Sequence, residues 1–515
     1  MSGAMTRGAD PARVLERLRE LRERDAPTHG GRVFAYVYDS GMPDLDRLAS
    51  EAAELARPLN GLDPTTFPSI AAMERDLVAF ARRALNGEKR RPGGKVVGSV
   101  TSGGTESCLL AVKTARDLWR DHWRDHDGRA ARAIAHGRRP RLVAPATVHA
   151  AFHKAAELFD LELDLVPCEP DGSVRARAMI DRLGGDVALV VVSAPAYPSG
   201  AIDPIAEVSQ AALAWGVSCH VDACFGGFAL PWWPDAPEWD LRLPGVTSIS
   251  ADLHKFGYAP KGVSVLLHRG RRRHRRQFFA VTEWPGYPVV NPTLLGSRSA
   301  SPVAAAWAIT QRLGAEGYRE LTASIVRSAR AIASEVSGIR GLAVLGDPVG
   351  PALSLVDDRS VPRDERVDPH RLADEVARRG FKMQHQPGVA QSNGVRLPHS
   401  THLTITPVTE RSLPEFGAAL RAAADVVRGR PQASATAALA ALRLLGYGED
   451  RAPGPSAAWA ILRLAGVAPK PAGRSGGTSG SMPARLAPLM ALVERLPAPV
   501  AEALLIELLA RIGEP

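Results

Sequence analysis

A chain of 515 residues exceeds what one hydrophobic core usually supports, so two packed domains with appendages are expected. Its composition, 45% hydrophobic and 23% charged, is ordinary for a globular protein. The net charge of +9 suits acidic or phosphorylated ligands, but it is spread widely, and the absence of any nucleic-acid motif argues against a nucleic-acid partner. The four cysteines, Cys108, Cys168, Cys219 and Cys224, are too sparse for a disulfide framework and lack CxxC spacing, which fits a reduced, cytoplasmic compartment.

In chain order, residues 1–60 form an N-terminal segment. It has no apolar run that would serve as a signal peptide, begins with a charged helical stretch, and passes into a Gly/Tyr segment at 30–39. Residues 61–312 form a large domain in which short apolar runs alternate with helical patterns. The runs are RLVAP from Arg141, VALVVVS from Val187, SCHVD from Ser218 and VSVLL from Val263. Such runs read as strands buried on both faces, and therefore as an α/β fold around a mostly parallel sheet. Ligands of these sheets gather where the carboxyl ends of the strands meet loops.

Residues 313–430 repeat the α/β pattern on a smaller scale, with AVLG from Ala343 and HLTIT from His402. Residues 431–515 are an Ala/Leu-rich helical tail in which no motif is recognised. A Gly/Ser stretch at 473–481 reads there as a flexible linker. The last helix, expected over 484–512, is amphipathic and should pack on the body or on a partner subunit. No stretch of ~18 apolar residues occurs, so no transmembrane segment is expected. One dense basic run, residues 271–276, interrupted by His274, reads either as solvated surface or as a contact for phosphate, a membrane surface or nucleic acid.

Four segments carry chemistry, each at the end of an expected strand. TSGGTES (101–107) opens a helix, and glycines with free helix-start amides favour an anion such as phosphate. HAAFH (149–153) places two histidines four apart, as in zinc sites, but neither an HExxH glutamate nor a further ligand cluster follows. An aromatic lid on a flat cofactor ring suits His149 better, with His153 structural. HVDACFGG (220–227) puts Asp222 at a buried strand end, where a carboxylate needs a cationic partner, and a pyridinium nitrogen is one. Its HxD triplet also matches the start of an iron facial triad, an arrangement that belongs on jelly rolls rather than βαβ chains. SISADLHKFGYAPKG (248–262) places Lys255 at a strand end beside His254. Such a lysine can form a Schiff base, and the imidazole can donate to a phosphate.

In this order and spacing the segments resemble the fold-type I, group II decarboxylase-related pyridoxal-phosphate enzymes, in particular the sphingosine-1-phosphate lyase family. The similarity rests on VTSGGTES from Val100, HAAF from His149, SAPAYPSGAIDP from Ser193, HVDAC from His220, SISAD with HK and APKG behind it, and Gly296-Ser-Arg298. It runs from about residue 30 to about residue 430. The resemblance implies a fold-type I transferase-like architecture, with a large pyridoxal 5′-phosphate domain and a smaller C-terminal domain. It implies that Lys255 carries the cofactor, Asp222 pairs with the pyridine nitrogen and His149 stacks on the ring. Gly104, Thr105 and His254 would line the phosphate. Gly296 and Ser297 would reach the cofactor of a neighbouring subunit, making a homodimer. Tyr197 and Tyr38 would lie near the reacting carbon and the substrate phosphate, with Lys261 as a second lysine of the motif. Tyr36 is expected on the same strand face as Tyr38.

One departure stands out: the family's Leu-His-Pro is here Leu62-Asp63-Pro64, which places a carboxylate where an imidazole would bind phosphate. The membrane helix of eukaryotic relatives is missing, which implies a soluble, bacterial-type member. The activity implied is a carbon–carbon lyase of sphingolipid metabolism: cleavage of the C2–C3 bond of a phosphorylated long-chain amino alcohol to a fatty aldehyde and phosphoethanolamine. Decarboxylation of an amino acid uses the same electron sink and nearly the same residues, and Asp63 keeps that alternative open. Other pyridoxal-phosphate lyases and transaminases stand behind it. A non-enzymatic scaffold leaves four cofactor elements in register unexplained.

Overall fold

The structure is a computed structural model that describes residues 8–89, 93–126, 139–433, 436–464 and 486–512. The apolar runs form the central sheet, which consists of β1 (Val96–Thr101), β2 (Arg141–Pro145), β3 (Glu162–Val166), β4 (Val187–Ser193), β5 (Ser218–Asp222), β6 (Ser248–Ala251) and β7 (Ser264–Arg269). Their spatial order is β1-β7-β6-β5-β4-β2-β3. Every residue of β4 and β5 is buried, as the valine-rich runs require of strands covered on both faces. Pairing is parallel from β3 through to β6, and β7 lies antiparallel between β6 and β1.

Helical crossovers return the chain to the same end of each parallel strand, so the carboxyl ends of β2, β4, β5 and β6 share one edge of the sheet. Strand β3 is added outside β2 while β4 to β6 grow on its other side, and this reversal opens a crevice at that edge. The helix Gly104–His126 leaves β1 at the border of the sheet and packs across β7, β6, β5 and β4. Its first turn therefore reaches the ends of the central strands.

Two short strands, β8 (Phe279–Val281) and β9 (Val289–Asn291), form a projecting hairpin. The helix Ser301–Ser337 then leads towards the C-terminal part and is broken at Gly314, whose φ of 54° and ψ of −171° suit glycine alone. A second sheet follows, built from β10 (Leu342–Val344), β11 (Ala352–Asp357), β12 (Gln384–Gln386) and β15 (Ser400–Thr404). It is antiparallel throughout, in the order β10-β11-β15-β12. Strands β13 (Val389–Ala390) and β14 (Arg396–Leu397) form a separate ribbon.

The segment at 30–39 is laced onto this smaller sheet. Phe34 N donates to Lys382 O (2.8 Å), and Thr404 N donates to Phe34 O (2.7 Å). The Phe34 ring packs against Phe381 and Phe416, and one apolar core runs from Val190 and Val221 to Leu403 and Phe416.

The tail departs from the expected single helix over 484–512. Two helices form, Ala487–Val493 and Ala498–Ile512, because Pro497 lacks an amide donor and restricts Leu496. The Gly/Ser stretch at 473–481 lies outside the described residues. The first of these helices docks on the helix Pro369–Ala377. Asp374 fixes the contact: its carboxylate accepts from Leu486 N (2.9 Å), Ala487 N (3.1 Å) and His385 Nε2 (3.1 Å). Removing it leaves two helix-start amides without their acceptor, at a cost of about 1–3 kcal/mol. Asp374→Ala should therefore speed proteolytic trimming after residue 430 several-fold, with little change in the main melting transition. A tail as resistant as wild type would contradict this docking.

Candidate active site

The site grows from strand ends. Strand β1 stops at Thr101, whose Oγ1 shares a hydrogen bond with Ser107 Oγ (2.7 Å). Ser107 in turn meets Ser264 Oγ (3.1 Å), which ties the first turn of the helix to β7. Buried Glu106 accepts from Ser102 N and from Leu294 N, both at 2.6 Å, and so fastens the glycine turn to the loop that carries Gly296 and Ser297. A side chain at Gly104 would begin 2.6 Å from Asp252 Oδ2 and 2.9 Å from Cys224 Sγ, and one at Gly103 would begin 3.1 Å from His254 Cε1. The glycines let the helix start close over the acid and the imidazole.

Asp222 ends β5. Its Oδ1 accepts from Cys224 N (3.0 Å), with Ser250 Oγ at 3.5 Å. Strand β6 ends at Ala251 and passes into Asp252, His254 and Lys255. Lys255 Nζ lies 2.9 Å from Asp252 Oδ2, and His254 Nε2 lies 3.4 Å from the same oxygen. Burial alone would discharge the Lys255 amine, but the Asp252 carboxylate overrides it and holds the ammonium well above its ordinary pKa. Burial likewise opposes the Asp252 charge, and Lys255 with His254 outweighs it, so the carboxyl is held below its usual range. Asp252 escaped the sequence reading. Its signal was an acid at a buried strand end three residues before the lysine, the feature that singled out Asp222.

An aromatic wall faces this pair. Tyr38 meets Phe256 edge-on (5.2 Å between centroids), and Lys261 Nζ sits 4.3 Å from the Tyr38 ring centroid while donating to His254 O at 2.7 Å. Burial, with Lys255 next, lowers the Lys261 amine to about 8, and burial raises the Tyr38 phenol to about 12. Tyr197 stacks on His402 (4.1 Å) and donates to Gln384 Oε1 at 2.9 Å. Burial raises the Tyr197 pKa and lowers His402 to about 3, so the phenol is protonated and the imidazole neutral. Gln384 and His402 come from β12 and β15 of the smaller sheet and carried no local signal in the sequence. Tyr36 is not on a strand face with Tyr38: its φ of 64° breaks the alternation and leaves it exposed.

Other candidates lie at the rim. His149 is the N-cap of the helix Ala150–Phe159, not a member of it, and its Nδ1 accepts from Ala151 N (3.2 Å). Thr105, Gly296 and Ser297 are exposed. Asn60 Nδ2 donates to Ser297 Oγ (3.2 Å), placing the loop before Asp63 on the same edge. Asp63 is exposed and turned onto its own loop, accepting from Thr65 N (2.8 Å), Thr65 Oγ1 (2.6 Å) and Thr66 Oγ1 (2.7 Å); these bonds lower its pKa to about 2. His220 does not serve a metal, since Ser248 Oγ (2.9 Å) and Ser250 Oγ (3.1 Å) engage its two ring nitrogens.

A model of the pyridoxal-dependent decarboxylase conserved domain matches residues 29–346, and a model of the C-terminal HTH-type domain of pyridoxal-dependent enzymes matches residues 433–511. Sphingosine-1-phosphate lyase 1 of Rattus norvegicus is 36% identical over 410 residues, covering 78% of this chain and 66% of that protein. The Arabidopsis thaliana sphingosine-1-phosphate lyase is 34% identical, covering 81% of this chain and 73% of its own. The chain belongs to the sphingosine-1-phosphate lyase family. The solved Burkholderia pseudomallei sphingosine-1-phosphate lyase superposes with a TM-score of 0.73 at 34% identity, over 86% of this chain and 95% of that one. Glutamate decarboxylase of Lactobacillus brevis, at 20% identity and a TM-score of 0.70, shares the fold.

The cofactor of this family is pyridoxal 5′-phosphate, and the residues fit it. Asp222 and Asp252 are both buried at the ends of neighbouring strands, and Asp252 Oδ1 has no hydrogen-bond partner among the described residues. A buried carboxylate at a strand end suits a protonated pyridine ring, and the glycine turn at the helix start leaves room for a phosphate. Gly104→Ala tests how tightly the acid and the helix start are fitted. The added methyl must displace Asp252, so a loss of about 1–3 kcal/mol in stability is expected, read as a lowered Tm. A Tm equal to wild type would show that the contact is slack.

Proposed function

We propose that this protein is a pyridoxal-phosphate lyase that cleaves the C2–C3 bond of a phosphorylated sphingoid base, giving a fatty aldehyde and phosphoethanolamine. The observation that carries the reading is the grouping of Lys261, Tyr38 and Tyr197 opposite Lys255: one cation and two phenols where a phosphate ester and a hydroxyl would sit. The relatives at 30% identity and above support it, being sphingosine-1-phosphate lyases, whereas the decarboxylases at 20% and below share only the fold.

Bound at this site, pyridoxal phosphate supplies the electron sink for the pair released when the carbon–carbon bond breaks. In our reading the amides of Gly104 and Thr105, with His254, hold the cofactor phosphate, and Asp222 keeps a proton at the ring nitrogen. His149 stacks at the rim. Lys255 would hold the cofactor, and as a neutral amine its Nζ would be the group placed to take the proton from the C3 hydroxyl. Asp252 positions Lys255 and, by favouring its ammonium form, makes the neutral amine a stronger base. Protonated Tyr197, held by Gln384 and His402, orients the hydroxyl. Lys261 and Tyr38 bind the substrate phosphate.

The assembly we propose is a homodimer in which Gly296 and Ser297 complete the partner's cofactor site, with Asp63 beside them. In support, the hairpin that leads to them exposes Phe279, Trp284, Tyr287 and Val290, and Leu294 and Leu295 follow. Among the described residues no helix is long and apolar enough to cross a membrane. A cytoplasmic location is in keeping with four free, buried thiols.

The deciding experiment incubates holoenzyme with a phosphorylated sphingoid base, its dephosphorylated form and a panel of amino acids. Aldehyde should form from the first, far less from the second, and none with Lys255→Ala. Carbon dioxide from an amino acid, with no aldehyde from any phosphorylated amino alcohol, would assign the protein to the decarboxylases instead.

A second test uses pH. Lys261 is charged below about 8 and loses its proton above it, so KM for the phosphorylated substrate should rise as pH passes that value. Lys261→Arg should flatten the rise, and Lys261→Ala should narrow the preference for the phosphorylated form about 10- to 100-fold. An unchanged preference would remove Lys261 from the phosphate site.

A further inference from the structure

The basic run at 271–276 has no part in the reaction, yet it borders a cavity of about 550 Å³ at the end of the sheet opposite Lys255. The connection can be traced along single elements. Ser218 begins β5 and Asp222 ends it, which separates the two ends by about 13 Å. Gly104 begins the long helix and Trp119 lies fifteen residues along it, about 22 Å away. The cavity is thus a second crevice in the same sheet, reached from a different side of the molecule.

Its walls have a definite chemistry. Arg271, Arg272 and Arg273 line it together with Trp119, Trp215 and His122, and among the described residues no carboxylate lines it. None of the three arginines joins an ion pair among the described residues, whereas Arg276, just beyond, is paired with Asp121. Arg273 is half-buried and donates to Ser218 Oγ at 2.7 Å. Burial, with Arg272 and Arg269 next, lowers its pKa to about 10, as expected of a guanidinium pressed against other cations without a counter-ion. Arg269 itself is structural, donating to Val246 O (2.8 Å), Leu241 O (3.0 Å) and Leu243 O (3.1 Å). Three adjacent unpaired guanidiniums attract a dianion, and planar forks match phosphate oxygens. The indole of Trp215 is 58% exposed, an unusual position for the largest apolar side chain unless something covers it. Glycines at 93–94, 184–185, 216 and 270 keep the walls low enough for a flat group to enter.

We propose that this crevice binds a nucleoside phosphate, with the phosphate on Arg271–Arg273 and the base against the tryptophans. The volume admits a nucleoside monophosphate. A free phosphate would satisfy the arginines but leave the Trp215 indole bare, and a nucleoside would do the reverse.

The test uses holoenzyme, so that the catalytic phosphate site is already filled. Binding of adenosine monophosphate, inorganic phosphate and adenosine is measured by calorimetry, alongside sedimentation with phosphatidylglycerol–phosphatidylcholine vesicles. Adenosine monophosphate should bind at least tenfold more tightly than either fragment, and more weakly as salt is raised. Arg272→Ala and Trp215→Ala, both at exposed positions, should each weaken it about tenfold while lyase turnover stays at the wild-type level. Arg273→Ala should weaken it further. Failure of adenosine monophosphate to bind at millimolar concentration, or binding indifferent to all three substitutions, would overturn the proposal. So would vesicle binding that depends on these residues when the nucleotide does not bind.

Discussion

Lys255 and the buried Asp252 form an ion pair, 2.9 Å apart, beneath a helix start that only glycine permits. Charges are taken out of water only at a cost, and a buried pair of this kind persists when its geometry is fixed from several directions. Here β6 delivers the acid and the following turn delivers the lysine. The helix Gly104–His126 closes over them, and Glu106 locks that helix to the loop beyond β9. Removing the lysine leaves the Asp252 carboxylate buried without its main compensation, which typically costs about 3–5 kcal/mol. Asp222, at the end of the neighbouring strand, adds a second negative charge to the same space.

The substrate side is assembled differently. Tyr38 comes from the N-terminal segment, Tyr197 from the loop after β4, Gln384 and His402 from the smaller sheet, and Lys261 from the loop before β7. These elements meet because the segment at 30–39 is hydrogen-bonded to both Lys382 and Thr404, and because one apolar core joins the two sheets. A shift between the sheets would separate Tyr197 from its partners while leaving the Lys255–Asp252 pair in place. The cofactor side and the substrate side are therefore held by different contacts. This division is in keeping with a fold that relatives at 20% identity and below share.

The seven-stranded sheet carries crevices at both ends, with opposite character. The carboxyl ends hold buried acids and one lysine. The opposite end holds Arg271, Arg272 and Arg273, none in an ion pair among the described residues, and the exposed indole of Trp215. A sheet with helices on both faces leaves only its ends open, so the same architecture that places the reaction at one edge makes the other edge available.

The sequence by itself determined the elements and the chemistry at their ends. Continuous valine-rich runs can be stable only as strands covered on both faces, so the parallel sheet was legible. The residues at strand ends, Gly104, Asp222, His254 and Lys255, were legible with it, because their types are costly or useless elsewhere. Asp252 stood in the same run and obeyed the same rule. What the tertiary structure decided was pairing across distance. Gln384 and His402 lie more than 180 residues from Tyr197 and show no local pattern that marks them for it. Tyr36 and Tyr38 looked equivalent until a left-handed residue turned one outward. Asn60, three residues before Asp63, meets Ser297 across more than 230 residues, a contact invisible to spacing. Local sequence fixes which backbone conformations and burials are affordable at each position, whereas contacts between remote segments depend on how whole elements pack.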